Sequence, residues 1–486
     1  MSSGNLYNSS NKGKAVLNLD LCAPMPVEAV PLMAVGSGEP AVRSSAEAMP
    51  AAATMAAAAA AAVIRPGGSQ SQQLDKSLIL LVKCVMQHCV RAMEAGNTEA
   101  SNNALAALSS VSSLDGDPIQ RLTSAFTEAL ARRALEPLLQ GLPWAIKEQL
   151  RRPPPPAYAD VARQWFHTLS PLLRAAGLAA NHAIVKALEG EQDVHVVDLG
   201  GANPRQWVEL LRLLAARPGG APSSSLRLTI VSDHACFLSC ATGLLTAEAT
   251  RLHVPLALNP VRSHIDNFSA AVIAALGVQR GQAVVISSTL QLHRLIADTT
   301  IVSHRHAGRQ HDETMTRADA LLHVLRDLSP KLLVLTEQEA DHNDGEGRGL
   351  WDRVDSAFDY YAVLFNDLEV SRVPRESLDR AVVERLLLRE EIVDIIARDG
   401  AARRERHEKL LRWVPRMLAA GFQPALVGMD GFKETTRLAD RLSDGDGQRP
   451  LYRVVKVKEK GCFFVHSCWT PMFSVSLWQP APGDHE

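Results

Sequence analysis

The sequence lacks several features, and each absence removes a class of function. Neither sign of charge is in excess: 51 Lys and Arg stand against 53 Asp and Glu, a formal net charge of −2. Nothing therefore pulls the whole chain toward nucleic acid or an anionic membrane, and DNA contact would need a local basic patch. No apolar run approaches the ~20 residues that span a bilayer; the longest, residues 55–64, is mostly alanine. The opening MSSGNLYNSSNKGK has no apolar core behind a basic start, so no secretory signal is expected. Cys22, Cys84, Cys89, Cys236, Cys240, Cys462 and Cys468 are odd in number. Their close pairs do not repeat a two-residue spacing, which argues for free thiols in a reducing compartment and against a disulfide framework or zinc knuckles. Walker, G-x-S-x-G and H-E-x-x-H patterns are missing as well.

What is present divides the chain in three. Residues 1–73 mix Ser, Gly, Asn and Pro with an Ala-rich tract at 51–62, a composition that buries little and predicts a disordered tail. Residues 74–190 show only helical periodicity. Leu74, Leu78, Leu81 and Val85 form one stripe; Ile119, Leu122, Phe126 and Leu130 form another, behind the Asp117-Pro118 helix start. Four prolines in 151–157 mark an extended link, followed by expected helices over 160–175 and 178–189.

The pattern changes at Val194. VHVVDL, LRLTIV, VPLAL, AVVISS and LLVLT alternate with helical stretches, and such near-continuous apolar runs suit strands covered on both faces of a parallel sheet. Toward the end, LYRVVKV and CFFVH flank KEKG, which predicts an antiparallel hairpin, with PALVG and FSVSLW as further strands. The expected architecture is α/β: a Rossmann-like, mostly parallel sheet over 191–486, antiparallel C-terminal strands and an N-terminal helical cap.

VVDLGGANPRQW places an acid and a glycine pair beyond the carboxyl end of the first strand, where open α/β sheets hold ligands. Asp198, Gly200, Gly201 and Asp233 are the residues that a nucleotide or S-adenosylmethionine would use. The third glycine of the dinucleotide fingerprint is absent, and Pro204 removes one helix-start amide. A structural turn is therefore the favoured reading, and no cofactor is expected.

TEQEADHND gathers Glu337, Glu339, Asp341 and His342 after the fifth expected strand, read as loop acids that are solvated or cap the next helix, in preference to a metal or acid–base site. His304, His306 and His311 are read as a surface loop in preference to a zinc site, and no metal is expected. Arg403, Arg404 and Arg406, mixed with Glu405, Glu408 and Lys409, are read as an ion-paired, solvated helix face. The stripe Leu74, Leu78, Leu81 and Val85 is the partner-binding candidate.

Taken in order, these segments resemble the plant GRAS family of transcriptional regulators, from about residue 74 to residue 478. LAANHAIVKALEG followed by VHVVD is similar to the family's VHIID region. Residues 74–189 and 272–328 resemble its two leucine-rich regions. SPKLLVLTEQEADHND through FDYYAVLFNDLE resembles the PFYRE region. Trp413, Gly421, Trp469 and Ser476-Leu477-Trp478 resemble the closing SAW region, with leucine in place of its alanine. The resemblance implies a helical cap on a methyltransferase-like core and a nuclear co-regulator working through protein partners. The implied partners are two-Cys two-His zinc-finger transcription factors, other GRAS members including DELLA proteins, and a second copy of itself. DNA contact would then be mostly indirect, and the implied setting is gibberellin response and root development.

Overall fold

A computed structural model describes residues 71–482 except 140, 144, 147–155, 201–202, 218, 221–224, 266, 307–308, 344–347, 371–375, 427–432, 434, 438, 441–451 and 458–460; for 71–76, 156–157, 225 and 300–313 it describes the backbone only. The tail expected over 1–73 thus lies almost wholly outside the described residues, as do the prolines 153–155, most of KEKG and Gly201.

The elements that come first among the described residues are the helices α1 (Ser71–Glu94), α2 (Thr98–Val111), α3 (Pro118–Leu139), α4 (Pro156–Leu169) and α5 (Pro171–Ala187). Asp117 caps α3 by accepting the amides of Ile119 and Gln120 at 2.9 and 3.0 Å. The helices expected at 160–175 and 178–189 divide elsewhere, at Ser170-Pro171. Proline cannot continue α4, and Ser170 caps α5 through the amide of Leu173.

The sheet follows: β1 (Asp193–Asp198), β2 (Ser225–Ser232), β3 (Leu256–Arg262), β4 (Ala283–Thr289) and β7 (Leu332–Gln338) are parallel, with helices between them. These helices are α6 (Pro204–Ala216), α7 (Ala235–Arg251), the short α8 (Ala270–Ala275) and α9 (Arg317–Asp327). Strand order is β3-β2-β1-β4-β7-β11-β10-β9. The last strand, β11 (Thr470–Pro480), inserts antiparallel between β7 and β10 (Cys462–Ser467), and β9 (Tyr452–Val457) pairs with β10 as the expected hairpin. A short β8 (Phe422–Pro424) pairs with the end of β11.

Every residue of β4 and β7 is buried, because helices cover both faces. Strand alternation divides the interior in two. Val194, Val196, Val285 and Val334 join one cluster with α1–α7; Val197, Ile286, Leu333 and Leu335 join another with α9 and α13 (Leu410–Ala419).

Two departures concern the cap and the second leucine-rich region. The N-terminal helices do not close a bundle by themselves: α3 packs on α10 (Leu350–Val370) and α12 (Arg389–Ala397), and α4 packs on α11 (Leu378–Val383). Residues 272–328 contain the expected strand AVVISS as β4, but also an antiparallel hairpin of β5 (Thr299–His306) and β6 (Arg309–Thr316) that was not expected. His304 and His311 are paired across that hairpin, where a loop was expected.

Gly461 closes the β9–β10 turn at φ 56°, and a Cβ there would meet the Ala425 carbonyl oxygen. Gly461→Ala should therefore cost about 1–3 kcal/mol, since backbone has to shift. A urea midpoint equal to that of the native chain would refute this requirement.

Candidate functional site

The carboxyl ends of β1, β2, β4 and β7 lie under the helical cap. Chain order reverses between β1 and β4, the place where open α/β sheets receive ligands. Asp198 sits there with both oxygens engaged within the chain. Oδ2 accepts the Trp207 indole N–H at 2.7 Å, and Oδ1 accepts the Gly200 amide at 3.1 Å. Burial lifts its carboxyl to about 6 even though both hydrogen bonds favour the ionised form. Gly200 takes φ 108°, and a Cβ there would make ordinary contacts with the Val231 carbonyl oxygen at 3.5 Å and with the Gln291 side chain, from the loop after β4, at 3.8 Å.

Asp233 is turned to another task. His234 Nε2 lies 3.2 Å from both Asp233 Oδ1 and Asp160 Oδ2, tying the end of β2 to α4. The residues proposed to cradle a ribose thus reach the same end of the sheet, but Asp198 and Asp233 each serve a contact within the chain.

Beside them is a cluster assembled from three distant segments. A 3₁₀ turn at Leu292–Leu295 follows β4 and presents His293. Its Nδ1 is 2.7 Å from Glu337 Oε2 on β7, and its Nε2 is 2.8 Å from Glu405 Oε2. Glu337 Oε1 also accepts the Leu292 amide at 2.9 Å, which fixes the turn. Burial opposes a charge on His293, yet Glu337 and Glu405 outweigh it and raise the imidazole to about 10. The reverse holds for His407 and His342. Burial, with the His293 charge added, pushes His342 down to about 3 and His407 well below the usual histidine range. Their Nδ1 atoms are 2.9 Å apart, one neutral ring donating its N–H to the other. Glu405 stays well below the ordinary carboxylate range: burial opposes its charge, but the His293 hydrogen bond and the Arg294 charge prevail.

A cavity of about 20 Å³ adjoins this cluster, lined by Arg163 and Phe166 of the cap, Gln291, Gln338, Glu391 and Glu405. That is space for about one water molecule. Burial first, then the nearby Glu405 charge, raises Glu391 to about 7, and its Oε2 accepts the Tyr361 hydroxyl at 2.8 Å. Among the described residues, two groups place three metal-ligand atoms within 4.8 Å of one another: His293, Glu405 and His407, and Asp160, Asp233 and His234.

Two sequence expectations are corrected here. The acids of TEQEADHND are not all solvated: Glu337 and Gln338 are 1% exposed and His342 is fully buried. β7 runs two residues beyond its apolar stretch, and Glu339 caps α13 by accepting the Leu410 amide at 3.0 Å. The stretch around Arg403–Arg406 is not a helix face. After a 3₁₀ turn at Gly400–Ala402, residues 403–409 run outside any helix, and Arg403, Glu405 and His407 are buried while Arg404 and Arg406 are partly exposed. Asp394 Oδ1 holds this path by accepting the amides of Arg404 and Glu405, each at 2.7 Å. Within the leucine stripe Val85 is 6% exposed, while Leu78 and Leu81 are partly buried against the core and Leu80 beside them is exposed. The Leu74 side chain and those of His304, His306 and His311 lie outside the described residues.

Sequence reasoning missed His293 and His407. The alternation of Arg403, Glu405 and His407 was the available signal, a period of two that is invisible to hydropathy because the buried members are polar.

The GRAS domain family matches residues 82–479. Scarecrow-like protein 3 of Arabidopsis thaliana is 34% identical, the match covering 80% of this chain and 87% of that protein. Chitin-inducible gibberellin-responsive protein 2 of Oryza sativa is 30% identical over 75% of this chain and 66% of that protein. The crystal structure of SCL7 from Oryza sativa superposes with a TM-score of 0.64 at 25% identity, covering 81% of this chain and 99% of that one. Sheet order, cap and ordered motifs agree with these matches: the chain belongs to the GRAS family of plant transcriptional regulators.

Proposed function

We propose that this protein is a non-catalytic nuclear co-regulator of transcription, acting through protein–protein contacts in gibberellin signalling and root development. The observation that carries the non-catalytic part is the state of Asp198. Its two oxygens are committed to the Trp207 indole N–H and the Gly200 amide within the chain, which leaves neither directed at a ribose. Partners of this reading are two-Cys two-His zinc-finger transcription factors, GRAS and DELLA proteins, and a second copy of the chain. DNA would be reached mainly through them. The near-neutral net charge supports indirect contact, because tight direct binding depends on many phosphate-neutralising cations.

Calorimetry with S-adenosylmethionine tests the reading. No saturable heat is expected from the native chain. Saturable micromolar binding that Asp198→Ala abolishes would replace the co-regulator by a methyltransferase-like enzyme.

A further inference from the structure

We propose that His293 Nε2, His407 Nε2 and Glu405 Oε2 form a buried divalent-metal site of the zinc class, clamping residues 403–409 to the ends of β4 and β7. The donor set, two imidazoles and one carboxylate, is one that zinc accepts. His407 Nε2 is fully buried, makes no hydrogen bond, and lies 3.5 Å from Glu405 Oε2. Zinc bonds of about 2.0–2.1 Å in a tetrahedron place ligand atoms about 3.3 Å apart. That pair is already at the required spacing, and all three donors fall within 4.8 Å.

An ion at His293 Nε2 takes the place of the proton that this nitrogen shares with Glu405, releasing it to solvent, and the other contacts suit ligands. Metal-binding imidazoles present their second nitrogen to a carboxylate or another fixed group. His293 Nδ1 meets Glu337, which is held by the Leu292 amide, and His407 Nδ1 meets His342. Glu405 divides its oxygens: Oε1 faces Arg294 Nε at 3.4 Å, leaving Oε2 for the two histidines. Two buried carboxylates, Glu337 and Glu405, face the site, and one divalent cation neutralises both. The adjoining cavity, lined by His293 and Glu405, has space for one water that would serve as the fourth ligand. Gln338 lines that cavity, and its side-chain oxygen is buried without a hydrogen-bond partner. The other three-donor group, Asp160, Asp233 and His234, is partly exposed and already holds Arg163 on Asp160, so it serves as the control.

The site does not depend on the co-regulator reading, and its test uses no activity. The full chain, purified without chelator, should carry one zinc by elemental analysis. After metal removal, added Co²⁺ should give the visible absorption of a four-coordinate centre with nitrogen and oxygen ligands only. His407→Gln should lose the metal, Glu337→Gln should weaken zinc binding about 10–100-fold, and His234→Gln should retain it. A metal-free native chain that zinc neither binds nor stabilises would overturn the proposal and leave a proton shared by His293 and its two carboxylates. Thiolate charge-transfer bands, or full metal content in folded His407→Gln, would place the ion elsewhere and overturn it as well. Should His407→Gln fail to fold, the cobalt spectrum of the native chain still decides.

Discussion

His293→Ala is expected to cost about 3–5 kcal/mol of stability, the usual penalty for removing one partner of a buried charge pair. Glu337 and Glu405 meet the two ring nitrogens at 2.7 and 2.8 Å, and both carboxylates are at least nine-tenths buried. Without the imidazole they face each other across a void, with Arg294 the charged neighbour at Glu405. The loss has an electrostatic share and a cavity share. Adding Glu337→Gln separates them, because it removes one charge without refilling the space. The double variant should recover part of the urea midpoint. A double variant no more stable than His293→Ala would assign the whole cost to packing.

Arg121→Met should be of similar size, at a site far from the sheet. Arg121 on α3 is 4% exposed and grips Glu384 with two nitrogens, at 2.9 and 3.1 Å. It also bonds Glu369 Oε2 at 3.0 Å and the Gly116 carbonyl at 2.6 Å. Arg380 closes the group by pairing with Glu369 at 2.5 Å. Burial holds the Glu384 carboxyl above its ordinary range even with Arg121 beside it, so this carboxylate depends on its partner. Methionine fills similar volume and leaves Glu384 with Arg380 alone, at 4.0 Å. A cost of about 3–5 kcal/mol is expected, and Arg121→Met with Glu384→Leu should return close to the native midpoint, because a packed apolar pair avoids desolvating two ions. A single variant within about 0.5 kcal/mol of native would show that this quartet is no more than a surface ion pair. Since Arg121 joins α3 to α10 and the turn after α11, the same variant tests whether the cap folds as one body with the later helices.

Much of the fold was legible before any coordinates. VHVVDL and AVVISS announce buried parallel strands because helices cover both sheet faces, so apart from His195 and Asp198 every position is apolar or small. The Asp117-Pro118 helix start could be read for a local reason: a carboxylate beside free amides, then a residue with no amide to lose. The break at Ser170-Pro171 was available by the same logic and was overlooked, because Leu169, Leu172 and Leu173 continue an apolar pattern across it.

The candidate site was far less legible. Asp198 and Gly200 stood out because a strand followed by glycines is a local pattern. Their employment within the chain was not, since Trp207 and Gln291 come from the next helix and from a loop 91 residues after Gly200. Glu337, Glu405 and His407 resembled surface residues because charged side chains are mostly exposed, and the exceptions are those that find partners.

The amino-acid order by itself determined the family, the alternation of strands and helices, and the hairpin near the end, since each rests on the periodicity or local chemistry of adjoining residues. Tertiary structure alone decided that α10 to α12 complete the cap, that β11 enters between β7 and β10, and that His293, Glu337, Glu405 and His407 meet. Those four span residues 293–407, and a buried charge is tolerable only once its counter-charge has arrived from elsewhere in the chain. No window along the sequence contains that condition; only the closed fold satisfies it.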